Sequence, residues 1–330
     1  MATYNGEKYL KEQIESILHQ VRIPGHDFEI VICDDNSNDS TREILQDFEQ
    51  KYPIIRCYYN DTNIGFLSNF NKAISLCKGE YIALSDQDDI WLPNHIKILY
   101  EGIKMKDCDD TYDLCGANAI LVDSNNQELG TSMLESMSLN YLPKTQDEYK
   151  LKIIHGNFFQ GAACMITRRL ANRALPVPEN VAYHDHWLAL YACFLNGIIY
   201  IDETVLRYRQ HEHNVTGKGK KFSISGEVKS TITREVGMEN KGNDNRTDNM
   251  IQQLYINPLV EILKIPEVQA NTKDEKNIYS AIDYYERLKR GCPYSILAIP
   301  YFCKHYYEIY LNKDKKLFLF RLVKRIMGWI

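Results

Sequence analysis

The sequence predicts an α/β protein with a mostly parallel central sheet flanked by helices. Three apolar runs of strand length, FEIVIC, IIRCYY and EYIALS, alternate with stretches of helical apolar spacing. Strands that alternate with helices imply crossover connections, which produce parallel pairing. Ligands of such sheets bind beyond the carboxyl ends of the strands. Polar clusters occur at those ends in three places: ATYN, CDDNSND and SDQDD.

The first elements follow from apolar spacing and helix-end signals. MATYNG reads as the end of a strand and a turn. A helix over Glu7–Gln20 is predicted from apolar residues that recur at helical spacing. Ser40 and Glu43 have the spacing of a capping box, so a second helix is expected to begin there.

The next elements surround the EYIALS strand. A helix is predicted over Phe66–Lys78, with Gly79 as a left-handed cap. After the strand, Pro93 is expected to open another helix, because the first turn tolerates proline.

The remaining chain is predicted in three parts. DLCGANAILVD, GAACMITRR and GIIYIDETVLRYRQ read as strands, and HDHWLALYACFLNG reads as a helix that ends at Gly197. We expect a catalytic domain over residues 1–217, a polar loop or linker over 218–249 and a helical extension over 250–330.

Composition narrows the class of protein. The net charge of −5 argues against a dedicated nucleic-acid binder. The nine cysteines include no C-x-x-C pair, which favours reduced, packing cysteines and a cytoplasmic location. We expect no signal peptide, and no run approaches the roughly 20 apolar residues that span a bilayer.

The segment SDQDD places three acidic residues at the end of a predicted strand, and something must offset the repulsion between their charges. At 4 Å and an effective dielectric of 20, two like charges repel by about 4 kcal/mol. Asp86 and Asp88 share one side of the chain, whereas Gln87 faces away. Two converging carboxylates suit a hard divalent cation, which also takes phosphate oxygens. The alternative is a solvated turn with a helix cap.

CDDNSND permits two interpretations. It could be a turn with a helix cap, or a donor site in which Asp34 or Asp35 accepts hydrogen bonds from a base or ribose. A calcium loop is excluded, because Asp39 replaces the required glycine and Leu45 replaces the terminal glutamate.

The histidine-rich segments leave alternatives open as well. Asp185 lies between His184 and His186 at a predicted helix start, where it could act in catalysis or as an N-cap. A zinc site formed with His211 and His213 is conceivable, but no H-E-x-x-H or cysteine partner accompanies these histidines. His211 follows a strand in a polar cluster, which favours a metal-binding role.

Taken together, ATYNGEKYL, DDNSNDST, NIGFLSNFNKAI, SDQDDIWLP, HDHWLAL and YRQHEHNVTG resemble, in this order, family 2 of the inverting glycosyltransferases. That family has the GT-A fold, and the bacterial rhamnosyltransferase branch is the most similar. The resemblance covers roughly residues 1–217. The sequence departs from the family in two ways: few apolar residues precede ATYN, and His186 stands where tryptophan is common.

The resemblance implies a metal-dependent transfer of a sugar from a nucleotide-sugar donor, dTDP- or UDP-linked, with Mg²⁺ or Mn²⁺ as cofactor. Asp185 would be the catalytic base, and Asp86, Asp88 and His211 would hold the metal. The donor would contact Ala2, Tyr4, Asp34, Asp35, Asn63, Gly65, Asn69, Asp86 and Gln87. The acceptor would contact Gly161, Ala162, His184, His186 and Trp187.

The acceptor implied is a hydroxyl of a surface polysaccharide or lipid-linked oligosaccharide, and rhamnose is the favoured sugar. The basic, amphipathic residues 304–330 would either dock on the inner face of the plasma membrane or pack as a terminal helix. A non-catalytic nucleotide-sugar-binding scaffold is the alternative function. A sugar nucleotidyltransferase is less favoured, because ATYNGEKYL has only one glycine.

Overall fold

In the computed structural model, which describes residues 1–106, 110–137, 139, 142–212, 214 and 245–289, the N-terminal strands pair in parallel. They are β1 (Ala2–Thr3), β2 (Ile30–Asp34) and β3 (Ile55–Tyr59), in the order β1-β2-β3. Every residue of β2 is buried, as expected of a parallel strand that is covered on both faces. The predicted parallel pairing is therefore seen in this sheet.

The second sheet is mixed. Among the described residues it has the order β4-β8-β6-β9-β5, with β7 paired to β6. Only β6 and β9 pair in parallel, and the other pairs are antiparallel. Alternation of strands and helices along a sequence does not reveal this long-range pairing. The strands are β4 (Tyr81–Ala83), β5 (Ile90–Trp91), β6 (Leu114–Val122), β7 (Glu128–Ser132), β8 (Cys164–Thr167) and β9 (Ile198–Arg209).

The helices around these sheets bury apolar faces. In the first helix, Leu10, Gln13, Ile14 and Ile17 are buried at helical spacing. Burial of each such aliphatic side chain stabilises the fold by about 1.5–3 kcal/mol. The helices are α1 (Leu10–Leu18), α2 (Thr41–Lys51), α3 (Phe66–Leu76), α4 (His95–Ile103), α5 (Met133–Ser136), α6 (Gln146–Ile153), α7 (Arg168–Ala174) and α8 (His184–Leu195).

Two predicted helix ends were wrong, whereas α2 begins at Thr41 with Ser40 as its N-cap, as predicted. The α3 helix ends at Leu76, and Gly79 does not have a positive φ, because the Glu29 carboxylate accepts hydrogen bonds from the backbone N–H groups of Lys78 and Gly79. Ser40 makes no side-chain capping bond, so the capping box does not form. The helix expected at Pro93 begins at His95.

The chain divides into two compact units. The strands and α1–α4, α7 and α8 belong to the first. The described part of the second comes from Glu135–Asn157, Asn180–Ala182 and residues 245–289. The predicted boundaries at residues 217 and 249 stay predictions.

In the second unit, the described residues 250–289 are mainly helical, as predicted, but the first of these helices begins at Asn245, within the predicted loop. Lys150 forms an ion pair with Asp274 at 2.5 Å, and Lys273 pairs with Asp147 at 2.6 Å. Within the described ranges, no helix is long and apolar enough to cross a membrane. The predicted membrane-docking segment, residues 304–330, lies outside the described residues. The helices are α9 (Asn245–Ile251), a π-helical turn (Gln252–Ile256), α10 (Asn257–Ile262), α11 (Pro266–Gln269) and α12 (Thr272–Lys289).

Candidate active site

A pocket of about 360 Å³ lies in the first unit, where β1, β2 and β4 end. Asp35 directly follows β2, and the SDQDD turn follows β4. The N-terminal ends of α3 and α8 complete its walls. The lining residues are Ala2, Thr3, Tyr4, Asp35, Asn63, Phe66, Asn69, Phe70, Asp86, Gln87, Asp88, Gln160, Gly161, Tyr183, His184, Asp185, Tyr208 and Asn214.

Asp35 fixes the loop that leads into α3. One carboxylate oxygen accepts hydrogen bonds from the Ile64 backbone N–H and the Asn60 amide, both at 2.8 Å. The other accepts from the Gly65 N–H at 2.9 Å. Gly65 has a φ of +86°, a conformation that costs glycine little and other residues more. Each carboxylate oxygen accepts about two hydrogen bonds, so Asp35 keeps capacity for one more.

Burial makes negative charge costly in the SDQDD turn. Burial raises the pKa of Asp86 to about 7, and the nearby charges of Asp88 and Asp185 add to the effect. Burial likewise raises the pKa of Asp89 well above its ordinary value, with Asp88 and Asp86 contributing. One carboxylate oxygen of Asp89, Oδ2, is buried and has no hydrogen-bond partner in the part of the chain that the structure describes. The turn therefore concentrates acid groups that the protein does not fully compensate.

Arg209, at the end of β9, is the cation that accompanies this turn, and sequence reasoning did not single it out. It is 2% exposed. Its Nε donates to the Asp88 carbonyl oxygen at 2.8 Å, and its backbone N–H donates to the Asp89 carboxylate at 2.9 Å. Its Nη2 donates to the Glu12 carboxylate at 2.6 Å. The guanidinium thus fixes the backbone of the turn and is itself paired with Glu12.

His211 lies beside Asp88, the second acid of the Asp86 and Asp88 pair. Its Nε2 is 2.8 Å from Asp88 Oδ2. Asn214 holds the histidine in place, because it accepts from the His211 backbone N–H and donates to the Arg209 carbonyl oxygen at 2.8 Å. Asn214 was also not predicted. The side-chain contacts of Arg209 join distant parts of the chain, whereas those of Asn214 are local. The only sequence signal for either residue was its place near His211.

Asp185 is in the first turn of α8, whose N-cap is Tyr183 rather than Asp185. Its carboxylate accepts from the His186 N–H at 2.6 Å and from the Gly161 N–H at 3.2 Å. Gly161 permits this approach, since a Cβ atom there would lie 3.1 Å from His184 Nε2. These bonds aim the carboxylate within range of Asp86, whose pKa it raises.

His184 contributes an aromatic wall. Its ring stacks on Phe70 at 3.9 Å between centroids and meets Phe66 edge-on at 5.3 Å. Burial lowers the pKa of His184 to about 3, so the ring is neutral at physiological pH. Among the described residues, neither ring nitrogen has a hydrogen-bond partner.

Six residues from the predicted site do not line the pocket. Asp34 is buried and bonded to Arg42, Ser37 and Thr3. Trp187 is buried and donates from its indole N–H to the Ala174 carbonyl oxygen. The other four lie adjacent to lining residues: Gly65, Ala162, His186 and His211.

The residues of the turn suit a divalent cation in their chemistry. Carboxylate oxygens are the ligands that Mg²⁺ and Mn²⁺ prefer, and an imidazole nitrogen suits Mn²⁺. The orphaned Asp89 oxygen and the raised pKa of Asp86 indicate excess negative charge. Across the part of the chain that the structure describes, however, no group of three His, Cys, Asp or Glu side chains is arranged to hold a metal. Substrate phosphate and water oxygens would have to complete the coordination.

The described histidines do not support zinc. No three-ligand cluster exists among the described residues, and His184 packs between phenylalanine rings. His213 lies outside the described residues.

Comparisons with known proteins agree with this geometry. The family described as glycosyl transferase family 2 matches residues 1–174. The dTDP-rhamnosyl transferase RfbG of Shigella flexneri is 31% identical over 239 residues, which is 67% of this chain and 75% of that protein. The uncharacterized glycosyltransferase MJ1057 of Methanocaldococcus jannaschii is 32% identical over 221 residues, 63% of this chain and 69% of that protein.

Two solved structures have a similar fold. TarS of S. aureus has a TM-score of 0.51 at 18% identity, and the match covers 94% of this chain and 53% of that one. The mannosyltransferase PcManGT of Pyrobaculum calidifontis, solved with GDP-Man and Mn²⁺, has a TM-score of 0.50 at 14% identity, covering 99% and 81%.

A GT-A fold with a pocket beyond the ends of its strands is typical of enzymes that transfer a sugar from a nucleotide sugar. The chain belongs to glycosyl transferase family 2, and it is a glycosyltransferase. The predicted GT-A fold and enzyme class are therefore confirmed, whereas the mostly parallel sheet was wrong, because four of the five pairings that the described residues make in the second sheet are antiparallel.

Proposed function

We propose that this enzyme transfers a sugar from a nucleoside-diphosphate sugar to an acceptor hydroxyl in one inverting, cation-assisted displacement. The observation that carries the proposal is that Asp185, Asp86 and Asp88 line one pocket, where the charges of Asp88 and Asp185 raise the pKa of Asp86. A base and a metal-binding pair are thus close enough to act on one substrate.

In this proposal the donor lies along the ends of β1 and β2. Tyr4, which is 44% exposed, stacks on the nucleobase, and Asp35 uses its remaining acceptor position for the base or ribose. The loop side chains Asn63 and Asn69 contact the ribose and diphosphate. Ala2 and Gln87 shape the same edge, since the Gln87 amide bonds both the backbone N–H and the carbonyl oxygen of Tyr4.

Asp88, with Asp86 and His211, would hold Mg²⁺ or Mn²⁺ against the diphosphate. Such a cation stabilises the charge that develops on the leaving phosphate. Arg209 keeps the turn that carries Asp88 in position, and the 2.8 Å contact between His211 and Asp88 brings the imidazole to the same place.

Asp185 would remove the proton from the acceptor hydroxyl. Backbone N–H groups of His186 and Gly161 orient its carboxylate. General-base help of this kind contributes about 10²–10⁴-fold. The acceptor would lie against Gly161, Ala162 and the α8 start. Inversion needs one displacement, so no covalent nucleophile is proposed.

Rhamnose is the proposed sugar, supported by the 31% identity to a protein named as a dTDP-rhamnosyl transferase. A surface polysaccharide or lipid-linked oligosaccharide is the proposed acceptor. If residues 304–330 dock on an anionic membrane, full-length protein should pellet with liposomes and a 1–303 truncation should not. Equal pelleting would reject docking.

A thermal-shift panel of UDP-, dTDP- and GDP-sugars with Mn²⁺ tests the proposal, followed by product analysis with the best binder. We expect a dTDP- or UDP-sugar to raise the melting temperature more with Mn²⁺ than with EDTA. No stabilisation by any nucleotide sugar would contradict the proposal. Binding without turnover across acceptors would favour the scaffold alternative.

A further inference from the structure

The start of α1 lies beside the SDQDD turn, and two of its side chains contact residues that hold this turn. Tyr9 is the N-cap residue of α1. Its ring centre lies 5.1 Å from that of His211 and 4.5 Å from the guanidinium carbon of Arg209. Three residues further on, Glu12 accepts a hydrogen bond from Arg209 at 2.6 Å. Because residues three apart lie on the same side of a helix, α1 presents Tyr9 and Glu12 together to the end of β9.

The ring of Tyr9 is held in place, and its hydroxyl takes no part in this. The backbone N–H of Tyr9 donates to the Gly6 carbonyl oxygen, and its carbonyl oxygen accepts from the Gln13 N–H, both at 3.1 Å. A cation within about 6 Å of a ring centre is attracted to the ring, and Arg209 is only 2% exposed, so water screens this attraction little. The hydroxyl of Tyr9 is buried and has no hydrogen-bond partner among the described residues.

The contact between Tyr9 and His211 differs in kind from two other contacts of that histidine. Asn214 bonds the His211 backbone, and Asp88 contacts the imidazole at Nε2. A neutral imidazole nitrogen either donates a proton or offers a lone pair, so an Nε2 that donates to Asp88 cannot also bind a cation. The ring contact with Tyr9 does not use Nε2. It therefore remains available to hold the imidazole beside Asp88 when a cation takes that nitrogen.

We infer that Tyr9 is a positioning residue that holds the His211 imidazole beside Asp88 for a bound cation and so favours Mn²⁺ over Mg²⁺. The inference rests on the proposed function, in which these side chains serve a cation. An imidazole nitrogen suits Mn²⁺, whereas Mg²⁺ prefers oxygen ligands. Loss of the Tyr9 ring should therefore weaken the binding of Mn²⁺ more than that of Mg²⁺.

The test measures the affinity for UDP and dTDP by calorimetry in Mn²⁺, in Mg²⁺ and in EDTA. Tyr9→Leu should lower the affinity in Mn²⁺ about tenfold and change that in Mg²⁺ less than about twofold, because a residue that orients a metal ligand tunes the metal through that ligand. Tyr9→Met, which also lacks the ring, should show the same selective loss. Tyr9→Phe should bind like the wild type, since it keeps the ring. Tyr279→Leu, which replaces an exposed tyrosine of α12, is the matched control.

A double variant shows whether Tyr9 acts through His211. In the His211→Ala background, Tyr9→Leu should cause no further loss of affinity in Mn²⁺, because the effects of two residues that act together do not add. A further loss would overturn the inference. Equal losses in Mn²⁺ and Mg²⁺ would also overturn it, since they would indicate an effect through Arg209 and the backbone of the turn.

The wild type separates this inference from the proposed function. Affinity in EDTA should be the same for the wild type and all variants, which shows that the nucleotide pocket is intact. Equal wild-type affinity in Mn²⁺, Mg²⁺ and EDTA would contradict the proposed function and the inference together. A wild-type response to Mn²⁺ that Tyr9→Leu and Tyr9→Met leave unchanged would overturn the inference alone.

Discussion

The two acidic turns, Asp34–Asp35 after β2 and Asp86–Asp89 after β4, look alike in sequence but differ in how the protein neutralises them. Asp34 pairs with Arg42 at 2.8 Å, and Asp35 accepts three hydrogen bonds around the α3 start. In the second turn, Arg209 bonds the Asp88 carbonyl and the Glu12 carboxylate, while Asp89 Oδ2 has no hydrogen-bond partner among the described residues.

Paired acidic residues at the end of a strand can therefore have either of two roles. The first turn is compensated by the fold, so its acids act as a brace that shapes the pocket wall. The second is left with excess negative charge, which costs stability and which the proposed cation would neutralise. Variants in each turn, and a variant of Asp185 across the pocket, test this contrast.

The largest effect is expected from Asp185→Asn. Loss of the general base should lower kcat by about 10²–10⁴-fold, whereas nucleotide affinity should stay within about twofold because the proposed donor contacts remain. Product formation and calorimetric titration measure the two quantities. Asp47→Asn, on the exposed face of α2, is the matched control. A variant that keeps full activity would remove Asp185 from the proposed role.

The next effect is expected from Asp88→Ala, in the uncompensated turn. Nucleoside-diphosphate affinity in Mn²⁺ should fall at least about tenfold, because the variant lacks a direct ligand. Affinity in EDTA should match that of the wild type, which serves as the control. Calorimetry in both buffers measures this. An unchanged response to Mn²⁺ would mean that the cation binds elsewhere.

Arg42→Met probes the compensated turn. The change leaves the fully buried Asp34 carboxylate without its cation and should destabilise the protein by about 2 kcal/mol. This is less than the cost of breaking a fully buried ion pair, because solvent screens the Arg42 side chain, which is 35% exposed. Lys51→Met breaks the exposed pair with Asp47 and should cost less than about 0.5 kcal/mol. Denaturant titration compares them. Equal losses would show that Asp34 does not depend on Arg42.

The smallest effect concerns Asp86→Asn and pH. The folded-state pKa of Asp86 is raised to about 7, above its unfolded value of about 3.9. Between those values the folded state holds a proton that the unfolded state lacks, so this group's contribution to stability falls as pH rises through the window.

Asp86→Asn removes the carboxyl group and therefore the fall in stability that its ionisation causes as pH rises. In EDTA the variant should be more stable than the wild type by about 1–2 kcal/mol at pH 8, and the two should converge near pH 4. Denaturant titrations at both pH values provide the measurement. A variant that is no more stable at pH 8 would show that the second turn is compensated after all.

Sequence reasoning reached the strands and the site residues that directly follow them. FEIVIC and EYIALS were visible because buried strands are apolar runs, and Asp35, Asp86 and Asp88 were visible because they come just after those runs. Asp185 drew attention because it lies between two histidines at a predicted helix start, but its proposed role as the catalytic base came only from the family resemblance.

Other features depend on contacts that local pattern does not encode. Arg209 reaches Glu12 across 197 positions of sequence. The Glu29 carboxylate, just before β2, bonds the backbone after the end of α3. The mixed pairing of the second sheet and the unpartnered His184 likewise arise from packing. Tertiary structure decides these features.

The most direct test of the account is a crystal of the protein soaked with Mn²⁺ and a nucleoside diphosphate, with anomalous data collected for manganese. The account predicts one anomalous peak within coordination distance of the Asp88 carboxylate, with His211 and the diphosphate beside it and Asp34 without metal. A bound nucleotide with no manganese near Asp86 or Asp88 would contradict the central claim.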